Sequence, residues 1–218
     1  MKIFNILILI SIIPLVGVML LILIPGRYNS YCFNAALFIS SLTFILSLIM
    51  WLIFDSGHNS FQFLCTIDWL PAFNFYYTVG VDGISLFFLI LTTFLIMVCV
   101  LISWGSINYR LKEYLINFLL LEFLLIQVFS VLDLLLFYVF FESILMPMFL
   151  IIGIWGSRER KIRAAYQFFL YTLVGSVLML LGILIIYSHG GTTDLQMLWN
   201  LEFSEKKQIF LWVSFFLS

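Results

Sequence analysis

The sequence predicts an all-α polytopic membrane protein with six complete transmembrane helices and the start of a seventh. Composition is the first reason. Of the 218 residues, 64% are hydrophobic and only 10% charged, with a mean hydropathy of +1.19. A soluble domain carries about 25% charged residues, so this chain could not cover its own surface in water. Length is the second. Six apolar runs approach the roughly 20 residues that a helix rising about 1.5 Å per residue needs to cross hydrocarbon. The third is a pattern in the loops, whose positive charges fall mainly on one side. Residues 1–218 are expected to form a single membrane domain.

The first span, 3–24, comes directly after Met1-Lys2. It is too long for the apolar region of a signal peptide and lacks a small-residue cleavage site, so it reads as retained. The second span covers 31–54. A loop over 55–80 comes next, marked by Gly57, Asn59, Asp68, Pro71 and Asn74, before the third span at 83–104. The apolar stretch 114–155 is too long for one crossing. Ser130 and Asp133 are the polar residues near its middle, so a tight turn there divides it into spans 114–131 and 134–155. The sixth span covers 164–187. Thr172 and Ser176 form a small-x-x-x-small face on it, and Gly175 and Gly182 lie on another; both faces read as close packing. After His189-Gly190-Gly191-Thr192, residues 204–207 are expected at the interface, and a seventh span starts at 208–218.

The loops after spans one, three and five carry Arg27, then Arg110 and Lys112, then Arg158, Arg160, Lys161 and Arg163. The other side carries Lys2, Lys206 and Lys207. The basic side is therefore expected to face the matrix or cytoplasm, with the N-terminus opposite. The cluster over 158–163 reads first as this orientation signal, with lipid or partner binding as the alternative.

Several functions are argued against. A net charge of -1 points to no nucleic acid. Cys32, Cys65 and Cys99 are scattered apolar fillers without a C-x-x-C pair, which speaks against an iron–sulfur site on this chain. His58 and His189 fall in loops, whereas a membrane haem protein wants axial histidines inside its helices. Asp68, Asp82 and Asp133 stand at span ends, where solvated caps account for them.

Two carboxylates remain inside spans, where facing hydrocarbon costs several kcal/mol. Glu142 lies in the fifth span and Glu122 near the middle of the fourth. Counted from the turn, both fall at similar depth and are expected as two stations of one lateral polar path. Pro147 cannot bond to the carbonyl of Ser143, and so frees a backbone acceptor beside Glu142; such polarity survives at membrane depth only where protein or water satisfies it. Tyr138 is one turn before Glu142 on the same face and within reach of a hydrogen bond. Tyr138, Glu142, Ser143 and Pro147 thus read as one wall of a hydrated pocket. Desolvation favours a neutral glutamate and a nearby cation favours the charged one, so alternation between the two makes a proton-holding site. A glutamate that serves only helix packing is the competing account.

Several segments resemble a known family. Gly80-Val81-Asp82-Gly83-Ile84-Ser85-Leu86-Phe87-Phe88 is similar to its opening of the third span. Leu134-Leu135-Leu136-Phe137-Tyr138-Val139-Phe140-Phe141-Glu142-Ser143-Ile144-Leu145-Met146-Pro147-Met148-Phe149 resembles its fifth. Trp155-Gly156-Ser157-Arg158 and Ala164-Ala165-Tyr166-Gln167-Phe168-Phe169-Leu170-Tyr171-Thr172-Leu173 resemble the segments after that span in the same family. The family is subunit 4 of mitochondrial NADH dehydrogenase, respiratory complex I. Thr192-Thr193-Asp194-Leu195 and Glu202-Phe203-Ser204-Glu205 are similar to its plant and protist form.

The resemblance implies the N-terminal half of an antiporter-like fourteen-helix fold containing two inverted five-helix repeats. It implies a subunit that pumps protons across the mitochondrial inner membrane as NADH reduces ubiquinone; in that membrane the loop charges are expected to leave the N-terminus on the intermembrane-space side. Glu142 would be the fifth-span glutamate that pairs with a seventh-span lysine, and Glu122 the fourth-span glutamate. FMN, iron–sulfur clusters and ubiquinone would belong to other parts of the complex, with no cofactor, metal or redox site on this chain. Its partners would be other membrane-arm subunits and lipids. The sequence ends before the lysine-bearing motif, and Lys206 and Lys207 precede the seventh span. A split gene is therefore expected, with a second polypeptide carrying the remaining helices; a fragment is the other account. Outside this function stand a subunit of a stand-alone cation/proton antiporter and a structural membrane scaffold.

Overall fold

The computed structural model describes residues 5–26, 29–58, 60–70, 75–107, 109–199 and 201–218. Lys2, the start of the first span at Ile3, Arg27, Asn59, Pro71 and Asn74 lie outside the described residues, as does the side chain of Asp68. In chain order the elements are α1 (Ile6–Leu23), α2 (Asn29–Ile53), β1 (Gln62–Leu70), β2 (Phe75–Val81), α3 (Gly83–Ile102), α4 (Leu111–Ser130), α5 (Leu134–Trp155), α6 (Lys161–Gly190), α7 (Leu195–Leu198) and α8 (Glu205–Leu217). Among the described residues, α1 to α6 are the six helices long and apolar enough to cross a membrane.

The chain forms two compact units, Met1–Leu64 with Gly80–Ser130, and Cys65–Val79 with Val131–Ser218. In the first, α1 packs on α2 and α4, α2 packs on α3 and α4, and α3 packs on α4. Leu7, Ile10, Leu21, Met50, Leu89, Leu115, Leu119 and Ile126 fill the interior, whereas Met19, Leu23, Phe38, Leu52, Ile84 and Ile102 are exposed. Gly17 permits the close approach of α1: a Cβ there would meet Ile39 at 2.9 Å and Leu119 at 3.0 Å. Lys112 closes the other end of this contact, its Nζ donating to the carbonyls of Ile22 at 2.9 Å and Ile24 at 2.7 Å. A cation suits the exposed carbonyls at a helix C-terminus.

In the second unit α5 packs on α6, and α6 on α8. The glycine face expected on α6 is used by α8: a Cβ on Gly182 would lie 2.7 Å from Ser214 Oγ, and one on Gly175 2.8 Å from the Ser218 carbonyl oxygen. At 30 residues α6 extends beyond the expected 164–187 by polar turns at both ends. It stops at Gly191, whose φ of 66° suits a glycine cap that donates to the Tyr187 carbonyl. Residues 204–207 open the last helix. Ser204 is the N-cap of α8, and Glu205, Lys206 and Lys207 are its exposed first turn.

The loop expected over 55–80 contains a two-stranded sheet of β1 and β2. Its end organises the turn between α4 and α5. Leu132 N donates to the Thr78 carbonyl at 2.8 Å, and Val79 bridges Val131. On the other side Leu134 N donates to the Thr193 carbonyl at 3.0 Å and Leu195 N to the Leu132 carbonyl at 2.9 Å. Asp133 caps α5, its Oδ1 accepting from Leu135 N at 2.9 Å and Leu136 N at 3.0 Å, while Oδ2 accepts from Thr193 Oγ1 at 2.5 Å. The expected cap is present, but it is buried rather than solvated. Asp82 forms a capping box with Ser85 at the start of α3.

Candidate functional site: two glutamates inside helices

Glu142 stands in the body of α5 and is half-buried. Its Oε1 accepts a hydrogen bond from Ser176 Oγ of α6, a fully buried hydroxyl. Tyr138 stands one turn before Glu142 on the same helix. Among the described residues the hydroxyl bonded to Glu142 is that of Ser176, and the direct Tyr138–Glu142 bond expected from the sequence is not formed. Pro147 is buried one turn and a residue beyond Glu142. Its ring removes the N–H that would bond the Ser143 carbonyl, leaving an acceptor beside the carboxylate. The Ser143 hydroxyl is directed elsewhere, donating to the Val139 carbonyl on its own helix at 2.7 Å. Glu142, Ser176 and the carbonyl that Pro147 leaves free therefore make one polar locus, and the Ser143 side chain does not turn toward Glu142.

Glu122 is the more deeply placed of the two, at 0% exposure on α4. Its Oε1 accepts from Thr43 Oγ1 of α2 at 2.5 Å. Among the described residues its Oε2 has no hydrogen-bond partner. An ionised carboxylate so placed would leave a desolvated charge uncompensated. Further along α2, Ser47 Oγ shares a hydrogen bond of 3.0 Å with Thr93 Oγ1 of α3. Ser40, Thr43, Ser47 and Thr93 are all fully buried, so the first unit contains a polar seam beside Glu122. Among the described residues the ion pairs are Asp55–His58 and Arg110–Glu113, and neither glutamate has a cationic partner.

Sequence reasoning singled out neither hydroxyl as a partner. Thr43 sits in an apolar run with several other hydroxyls, and Ser176 reads as a packing residue. Spacing within one helix identifies a face but not which neighbouring helix meets it. The available signal was weak: Ser40, Thr43 and Ser47 have helical spacing, an unusual small polar stripe for a lipid-facing helix.

Residues 131–218 match the family described as NADH:quinone oxidoreductase/Mrp antiporter, transmembrane. NADH-ubiquinone oxidoreductase chain 4 of Chondrus crispus is 65% identical over 218 residues, covering 100% of this chain and 44% of that protein. The chain 4 protein of Arabidopsis thaliana is 56% identical over 205 residues, covering 94% of this chain and 41% of its own length. Among solved structures, a chain of respiratory complex I from Thermus thermophilus with bound NADH has a TM-score of 0.82 at 29% identity. That match covers 97% of this chain and 42% of the other. The chain thus spans well under half the length of the curated relatives it matches. Aligned from end to end at up to 65% identity, it belongs to the NADH-ubiquinone oxidoreductase chain 4 family and corresponds to the N-terminal part of those proteins.

Proposed function

We propose that this chain forms the N-terminal part of a proton-translocating, antiporter-like subunit of NADH:ubiquinone oxidoreductase. It is placed in the mitochondrial inner membrane beside other membrane-arm subunits, with its N-terminus toward the intermembrane space. Flavin, iron–sulfur clusters and ubiquinone act in other parts of that complex. Here the chemistry is the taking up and release of protons by Glu142 and Glu122. The observation that carries this reading is Glu142 itself. A carboxylate inside a membrane helix, held by a hydroxyl from the next helix and flanked by a proline-freed carbonyl, has the means to be satisfied in two protonation states.

Glu142→Gln preserves shape and removes the exchangeable charge. In the assembled complex it is expected to lower the proton-to-electron ratio sharply while leaving assembly intact. A normal ratio would overturn the proposal. The cation that alternately pairs with Glu142 is assigned to further polypeptide beyond residue 218. In the split arrangement, native purification recovers a second chain that begins inside the seventh helix. A single longer polypeptide would overturn that arrangement and leave the role of Glu142 untouched.

The family description also includes Mrp antiporters, which favours a second reading as part of a stand-alone cation/proton antiporter. Copurification with a redox arm separates the two readings.

A further inference from the structure

Thr43 and Ser176 share one local geometry, although they serve different glutamates in different units. Each is a fully buried hydroxyl that reaches glutamate Oε1 on an adjacent helix. Each also has a second acceptor three residues back on its own helix. The Ser40 carbonyl lies 2.9 Å from Thr43 Oγ1, and the Leu173 carbonyl 2.9 Å from Ser176 Oγ.

A hydroxyl has one proton to donate and two lone pairs that accept. It cannot donate to the glutamate and to the carbonyl at once, so the proton must choose. Facing an ionised carboxylate, it donates to Oε1 in a charge-assisted bond. When a proton arrives and bonds to Oε1, the new carboxyl O–H donates to the hydroxyl oxygen, and the hydroxyl's own hydrogen swings onto the carbonyl. No bond of the hydroxyl is broken, and one proton is added to the carboxylate. Either state keeps that contact free of two opposed hydrogens.

The surroundings leave little else to perform this task at Glu122. The helices packed against α4 are α1, α2 and α3, and none carries Asp, Glu, Lys, Arg or His; their titratable side chains are Tyr31, Cys32 and Cys99. At Glu142, α6 holds Lys161, Arg163 and His189 only in its end turns, and its Tyr166, Tyr171 and Tyr187 stand several residues from Ser176. On α5 itself Tyr138 stands one turn before Glu142.

We propose that Thr43 and Ser176 are positioning residues for proton exchange, each turning its hydroxyl between glutamate and carbonyl as the glutamate gains or loses a proton. This rests on the proton-exchanging role assigned to the two glutamates. The test uses the intact complex carrying Thr43→Val, Thr43→Ser or Glu122→Gln, read by infrared difference spectroscopy and by proton uptake. The carboxyl C=O band of Glu122 is the one that Glu122→Gln abolishes. Thr43→Val is expected to move that band to higher wavenumber and to slow uptake about tenfold, the worth of one charge-assisted hydrogen bond. Thr43→Ser restores both. Ser176→Ala is expected to act likewise on the band abolished by Glu142→Gln. A band and an uptake rate unchanged in Thr43→Val would overturn the proposal. Normal pumping in Glu122→Gln and Glu142→Gln would instead overturn the role of the glutamates, even with the bands still moving. If Thr43→Val does not assemble, Thr43→Cys, a weak donor, carries the same expectations.

Discussion

Replacing Asp133 by Ala tests how the second unit is held together. The carboxylate is 3% exposed and makes three hydrogen bonds: Oδ1 takes the amides of Leu135 and Leu136, and Oδ2 takes the hydroxyl of Thr193. Loss of a helix N-cap costs about 1 kcal/mol, and up to about 2 in a protein context. Loss of a hydrogen bond to a charged group costs about 1.5–3 kcal/mol. Thr193 is itself fully buried, so its hydroxyl would be stranded. Together these give a destabilisation of about 3 kcal/mol for Asp133→Ala. Thr193→Val removes only the Oδ2 bond and should cost about half as much. Because both substitutions delete the same contact, the double variant should be less destabilised than the sum, with a coupling of about 1 kcal/mol. Equilibrium unfolding in mixed micelles, read by loss of helical circular dichroism, supplies the three values. If Asp133→Ala lies within about 0.5 kcal/mol of the unaltered chain, the reasoning fails.

Glu122→Leu should raise stability by about 1–3 kcal/mol, since it removes a buried polar group with an unpartnered oxygen, while abolishing proton exchange; a melt no higher than that of the unaltered protein would contradict the first half. Gly17→Val should cost about 1–3 kcal/mol by overpacking against Ile39 and Leu119, and Ile39→Ala should recover part of the loss; the same unfolding measurement checks both. In the exposed turn after α2, the Gly57 amide and the His58 ring hold the Asp55 carboxyl below its ordinary value. A lowered folded value means that the turn is favoured above the unfolded carboxylate range and loosens as pH falls through the folded value. Amide exchange at Gly57 should therefore show protection that is lost on acidification, and Asp55→Asn should remove that pH dependence.

The six spans and the α4–α5 turn were legible because their signals are local. A run of apolar residues sets a length, and Ser130 with Asp133 is enough to break one. Asp82 and Asp133 were readable as caps because a cap bonds to amides two or three residues ahead. The pairing of Glu142 with Ser176, and of Glu122 with Thr43, depends on which helices pack together and at what rotation. No periodicity within one helix contains that information. The β1–β2 pair was obscured for another reason. Polar and turn-forming residues such as Gly57, Asn59 and Pro71 dominate the segment, although Phe75-Tyr76-Tyr77-Thr78-Val79 has the aromatic and β-branched character of a strand. Boundaries at α6 shifted because a helix does not end where its apolar body ends. It continues through Lys161–Arg163 and Ser188–Gly190 until Gly191 supplies the left-handed residue that stops it.

Lys112 bears on how such a chain is made. It adds to the positive charge between the third and fourth spans, where a translocation machine would sense it as a free cation. In the folded protein the same ammonium is tied to the carbonyls of Ile22 and Ile24 at the end of α1. It thus acts as a clasp between the start of α4 and the end of α1. The carbonyls at the end of α1 exchange water for an ammonium carried by a residue three helices later in the chain.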